Sequence, residues 1–284
     1  MKTILVLTDF SPNANHAAYY TLKLAQSIKA NLLVCNMFLV PYVEPMTKQI
    51  AWPEENFLTI EDDSINKLNK LTESLNNELD KNKANTLFRP AIGQLSSSGS
   101  ITDVFNETIA DQNIIMVAIS THDANSLSDH AQNIIEKANC PLLVVPAKSV
   151  FDGFNKISFA SDLIHYNLDV LHCLYNLTHY FEPEILITHI ADENAEDHEN
   201  QKAIEHFYNK VSSGLNYPRM NYRVEKNKSV ANGLNWVSEH AGIDLLVLVH
   251  HKRNFFQKIF FESVTQKMAH QFTRPMLIFP FAKK

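Results

Sequence analysis

Apolar positions along this chain fall into short, nearly unbroken runs. Longer stretches separate them, in which apolar residues recur every three or four positions. In the first half the runs are Thr3–Leu7, Asn31–Met37, Asn85–Arg89, Ile114–Ile119 and Pro141–Val145. In the second they are Lys156–Phe159, Glu184–His189, Met220–Val224, Leu245–Val249 and Pro275–Phe279. Short runs without polar alternation suit parallel strands covered on both faces. Strand-like runs alternating with helix-length segments predict an α/β protein with two tandem domains. Each would be a five-stranded parallel sheet, Rossmann-like, with helices on both faces.

The two halves also match in order. "LVLTDFSPNANHAAYYTLKLAQ" near the start parallels "ISFASDLIHYNLDVLHCLYNLT" from Ile157, each a strand, an Asp (Asp9, Asp162) and an amphipathic helix. "IIEKANCPLLVVP" parallels "VTQKMAHQFTRPMLIFP". This is one duplication with a period of about 150 residues rather than a solenoid. Pro146 and Gly153 punctuate the junction, so the expected domains are residues 1–149 and 153–284. Pro41 to Asn56 reads as irregular, and Glu61–Lys81 as a polar helix burying Ile65, Leu68, Leu71 and Leu75. The acidic run Asp192–Glu199 reads as a solvated loop that favours the start of the next helix.

Several marks resemble the universal stress protein family in its tandem two-domain form. They are Thr8-Asp9-Phe10-Ser11-Pro12 after the first strand and Ala110-Asp111-Gln112-Asn113 and Ala241-Gly242-Ile243-Asp244 before the fourth strands. Thr121-His122 follows the fourth strand, and Cys140-Pro141 opens the fifth. The resemblance covers nearly the whole chain. It implies the five-stranded fold inferred above and pairing of domains through their last strands, which a tandem chain would make internally as a pseudo-dimer. Many members bind ATP with a loop of the form G-x2-G-x9-G-[S/T] after the fourth strand, together with the Asp after the first. Others lack that loop and bind none.

Position by position, the first half has lost the loop. The stretch between His122 and Cys140 is about five residues short of the family spacing, and Ser128-Asp129 stand where its final Gly-Ser would be. An Asp there would set like charge against a phosphate. In the second half the spacing from His251 to Pro275 is full, and Ser263 aligns with the final Ser. Lys252, Phe255 and Glu262, however, replace the glycines. The resemblance therefore leaves Asp162, Lys252, Arg253 and Ser263 as the candidate nucleotide-binding set, with Asp9 as its first-half counterpart. Lys252 and Arg253 would supply positive charge to a phosphate, and Ser263 a helix cap and a hydroxyl.

Composition narrows the function. Only six glycines occur in 284 residues, and none forms a GxGxxG or Walker pattern. The net charge of −6 disfavours nucleic acid as a partner. No apolar stretch reaches the roughly 18 residues of a membrane span, and the N-terminal run is too short for a signal peptide, so a cytoplasmic protein is expected. The three cysteines, Cys35, Cys140 and Cys173, lack metal or disulfide spacing and read as buried hydrophobes. Ten of the 13 histidines lie in the second half, but His250-His251 point to opposite sides of a strand, and no metal set emerges. Ser96-Ser97-Ser98-Gly99-Ser100 lacks the nucleophile elbow of a hydrolase and reads as a loop capping a helix near Ile101. Phe255, Phe256, Phe260 and Phe261 read as packing onto their own domain; the alternative is that they fill the space of the missing glycines or line an inter-domain or inter-chain contact. The expectation is a non-enzymatic stress-response or interaction protein, with a protein partner or self-association and no required cofactor. The alternative is a module binding ATP in its second domain, with slow hydrolysis.

Overall fold

The computed structural model of the chain describes residues 1–38, 53–81, 88–98, 113–121, 140–165, 167–194, 196–250 and 273–280. The chain divides into two compact α/β units, the first carrying Met1–Ser120 and the second Pro141–Lys284.

In the first unit β1 (Thr3–Leu7) lies between β2 (Asn31–Phe38) and β4 (Ile114–Ser120), parallel to both, and β3 (Ile92–Ser98) flanks β2, giving the order β3-β2-β1-β4. Ile4, Leu5, Val6, Leu32, Val34 and Val117 are buried because helices cover the strands. Helix α1 (Pro12–Ile28) starts where a proline costs nothing, at its first position, and Ser11 accepts the Ala14 N–H at 3.2 Å as its N-cap. It ends at Lys29 in the left-handed conformation, φ 56°.

Several readings of the sequence fail in this unit. The described third strand is Ile92–Ser98; of the expected run Asn85–Arg89, residues 85–87 lie outside the described residues, and Phe88 and Arg89 are not in a strand. It is an edge strand with half its surface wet, so its residues, IGQLSSS, carry no apolar run to mark it. Ser96, Ser97 and Ser98, expected in a loop, pair with Asn36, Met37 and Phe38 of β2. Helix α2 runs Pro53–Lys81, so Pro53 to Asn56 belong to it. The proline misled because it is tolerated in a first turn, where its missing N–H has no helical acceptor. On α2 the buried stripe is Ser64, Leu68, Leu71, Leu75 and Leu79, while Ile65 is exposed. Ser64 can be buried because its hydroxyl donates to Asn36 Oδ1 at 2.8 Å and lies 2.7 Å from Ser96 Oγ.

The second unit repeats the pattern. Strand β6 (Lys156–Ala160) lies between β7 (Glu184–Ala191) and β9 (Leu245–His250), with β8 (Met220–Lys226) outside β7 and β10 (Met276–Pro280) outside β9, all parallel. Strand β5 (Leu142–Val145), the last of the first sequence repeat, pairs antiparallel with β10: Met276 opposes Val144 and Ile278 opposes Leu142. Helices α3 (Leu168–Thr178), α4 (Asp197–Gly214) and α5 (Val230–His240) complete the described elements. The acidic run precedes and opens α4, as read. Gly233 lets α5 sit close on β7: a Cβ there would stand 2.8 Å from Ile190 Cγ2. Within the second unit, Phe151 and Phe154 of the linker meet Phe181 edge to face, with the three ring centroids 5.2–5.9 Å apart.

The marks before the fourth strands have structural roles. Gly242 (φ 64°) and Asn113 (φ 48°) both turn left-handed. Asp244 Oδ2 accepts the N–H groups of Asn155 and Lys156 at 2.7 and 3.0 Å, closing the start of β6.

Candidate functional site

Each unit has a point where the chain reverses direction across its sheet. From β1 it moves outward through β2 to β3, then returns to the other side of β1 with β4; β6, β7, β8 and β9 do the same. Ligands of open α/β sheets bind at such a reversal, beyond the C-terminal ends of the strands. Asp9 follows β1 and Asp162 follows β6, so both stand there.

The two turns are duplicates at the level of single hydrogen bonds. Thr8 N–H donates to Cys35 O, and Ser161 N–H to Thr188 O, both at 2.9 Å. Thr8 Oγ1 accepts from Phe10 N–H and Ser161 Oγ from Leu163 N–H, both at 3.0 Å. Asp9 Oδ1 accepts from Ser11 N–H and Asp162 Oδ1 from Ile164 N–H, both at 2.9 Å. Phe10 and Leu163 sit between, left-handed at φ 63° and 61°. The short polar side chains before them supply acceptors that hold a conformation bulky residues ordinarily avoid.

The copies differ at two places. Where the Asn36 amide donates to Thr8 O at 2.7 Å, His189 Nδ1 meets Ser161 O at 2.9 Å. A carbonyl only accepts, so Nδ1 carries the proton in that contact. In the second turn Asp162 Oδ1 also takes the His165 N–H at 2.8 Å, and Oδ2 lies 2.6 Å from His165 Nδ1. Burial raises the Asp162 carboxyl, but the bonds from His165 and Ile164 together outweigh it and leave the group below the ordinary aspartate value.

The structure therefore brings Asp9 and Asp162 to the expected reversals. Lys252, Arg253 and Ser263, the phenylalanines at 255–261, and Ser128-Asp129 lie outside the described residues. Thr121 is described: it is buried, and its N–H donates to Val145 O at 3.2 Å. Among the described residues no group of three His, Cys, Asp or Glu side chains is placed to hold a metal. No described helix is long and apolar enough to cross a membrane. Sequence reasoning missed Asn36, Ser64 and His189. The only signal was a polar residue near the end of an apolar strand, as in Val34-Cys35-Asn36 and Ile187-Thr188-His189.

Repeated sheets that reverse beside an Asp define the class: a tandem α/β protein built on the nucleotide-binding type of sheet. A sequence model of the universal stress protein family matches residues 1–146 and again 158–280, so the chain belongs to that family. Among solved structures, it is similar to a universal stress protein from Archaeoglobus fulgidus DSM 4304 at 11% identity, TM-score 0.63, covering 98% of this chain and 96% of that one. A universal stress protein from Pseudomonas aeruginosa UCBPP-PA14, so described provisionally, is 12% identical, TM-score 0.55, covering 98% of this chain and 92% of the other. Both likenesses are of fold. A search of curated proteins gave no match.

Proposed function

We propose that this chain is a non-enzymatic, cytoplasmic stress-response protein that acts by binding other proteins, with nucleotide loops that no longer cradle phosphate. The observation that carries the reading is the state of Asp162. Its oxygens are engaged inside their own turn by Ile164 N–H, His165 N–H and the His165 ring. A carboxylate held this way is a structural tie rather than an open ligand group. The missing glycines at Lys252, Phe255 and Glu262 point the same way, since side chains there obstruct close backbone approach to a phosphate. The antiparallel pairing of β5 with β10 supports the internal last-strand pairing that a tandem member would use.

A second reading keeps one supporting observation. Asp162 stands at the chain reversal of the second unit, and the sequence supplies Lys252, Arg253 and Ser263 to the same sheet end. That reading makes the second domain an ATP-binding module. Mass spectrometry of the purified protein and melting curves with Mg-ATP or AMP decide between the two. No copurified nucleotide and an unchanged melting temperature are expected. Bound nucleotide, or an ATP-dependent rise in melting temperature that Lys252→Glu abolishes, would overturn the proposal in favour of the second reading.

A further inference from the structure

On the first unit, beginning at Phe10 of the β1–α1 turn and running between the helices, α1 and α2 leave a groove of about 280 Å³. Phe10, Asn15 and Tyr19 form one wall, and Lys67, Lys70, Leu71 and Ser74 the other. The volume falls just below the usual range for small-molecule sites, about 300–1,000 Å³, which restricts an occupant to a single ring with its substituents and excludes a nucleoside triphosphate.

The lining has a consistent chemistry. Phe10, at the left-handed position of its turn, faces α2 closely enough that Lys67 Nζ lies 5.8 Å from its ring centroid. Tyr19 OH and Ser74 Oγ are hydrogen-bonded across the groove and tie the helices together. Lys67 is already matched by Asp63 at 2.6 Å. Lys70, on the same helix, lines the groove with no acidic residue among the described residues of its walls. Asn15 Oδ1 is buried with no hydrogen-bond partner among the described residues. A buried acceptor left in that state is unusual and calls for a donor. Asn15 is itself a lining residue of the groove, so a donor bound there has this amide within its walls.

We propose that this groove binds a planar aromatic anion bearing a hydrogen-bond donor. The ring packs against Phe10 and Tyr19, the anionic group lies at Lys70, and the donor meets the Asn15 amide. Aromatic walls favour a flat ring by offset or edge contact, and the Lys70 ammonium at the open side of the groove favours an anion over its neutral analogue. The site shares only Phe10 with the β1–α1 turn and is independent of whether the second domain takes ATP.

Anthranilate is a suitable probe: it has one ring, a carboxylate, an amino donor and its own fluorescence. Titrated into the full chain, it should saturate a single site. The neutral 2-aminobenzyl alcohol should bind about tenfold more weakly, the scale of one charge-assisted contact. Lys70→Gln should weaken anthranilate by about the same factor. Asn15→Leu should weaken anthranilate while leaving benzoate, which has no donor, unaffected. Lys70 is exposed, so its variant should melt as the parent does, and Lys228→Gln in the second unit should bind as the parent does. Absence of saturable binding at millimolar anthranilate, equal affinity for the neutral analogue, or unchanged binding by Lys70→Gln would each overturn the proposal.

Discussion

Asn36 and His189 hold the same station in the two units: each sends a side-chain N–H to the carbonyl of the residue before the Asp that follows the unit's first strand, at 2.7 and 2.9 Å. Equivalence of role predicts interchangeability. His189→Asn should leave stability within about 0.5 kcal/mol of the parent, because the shorter amide makes this bond in the first unit. His189→Leu, which removes the donor and leaves the Ser161 carbonyl short of a bond, should cost about 1 kcal/mol. Urea denaturation of both variants checks the pair. A His189→Asn variant as unstable as His189→Leu would contradict the equivalence.

The Asp162 carboxyl titrates below its unfolded value, so the sign of its pH effect is fixed. Its charge contributes stability above the unfolded aspartate value, about pH 4, and that contribution disappears as pH falls through the lower folded value. The side chain is 43% exposed, so solvent screens the effect. Asp162→Asn keeps an oxygen for the two backbone N–H groups and removes only the charge. It should cost about 0.5 kcal/mol at neutral pH and nothing in strong acid. Denaturation midpoints of parent and variant at pH 7 and pH 2.5 measure the difference, which should shrink toward zero in acid.

Gly233 brings α5 close to Ile190 of β7 in the second unit. Alanine favours a helix interior over glycine by about 1 kcal/mol, but the added carbon meets Ile190 Cγ2 at 2.8 Å and Cδ1 at 2.9 Å. Isoleucine is stiff at its first side-chain torsion, so overpacking outweighs propensity. Gly233→Ala should lose about 1 kcal/mol net, and adding Ile190→Ala should recover part of that loss. A double-mutant cycle with favourable coupling confirms the contact.

Thiol reactivity should separate the three cysteines. Burial pushes the Cys35 and Cys140 thiols up to about 12, which suppresses the reactive thiolate at ordinary pH, while Cys173 is only half-buried. With a disulfide reagent at pH 8, Cys173 should react first, and the other two only on unfolding. Equal rates for all three in the native protein would contradict the burial.

Legibility in the sequence followed burial. β1, β2, β4 to β7, β9 and β10 were readable to within a residue or two because their runs are largely apolar and buried; β8 was placed as well, although it is an edge strand half-exposed along its length. β3 was not, because an edge strand ending in three serines has no such run. The α2 stripe was found at Leu68, Leu71 and Leu75. Its next position up the helix was misread as Ile65, because hydrophobic periodicity cannot see a serine buried by hydrogen bonds to Asn36 and Ser96. Asp9 and Asp162 were readable because each follows a strand in a repeated motif. Their supports were not: Asn36 and His189 are different residue types serving one function across 28 residues of chain. The groove residues were invisible for a similar reason, since Phe10, Tyr19, Lys67 and Lys70 come together only when α1 packs beside α2.

The scarcity of glycine has a consequence for how the chain reversals can behave. Among the described residues, Phe10, Lys29, Asn113, Leu163, Asn167 and Glu182 are left-handed, against only Gly153 and Gly242 among the glycines. A glycine loop owes its adaptability to the many conformations open to it, and it can close around what it binds. Phe10 and Leu163 instead occupy a narrow left-handed well, pinned by the hydroxyls two residues before them. At Phe10 and Leu163 the floors of both reversals are therefore preformed. A molecule that docked against these two turns would meet a fixed shape, and any adjustment would have to come from the visitor.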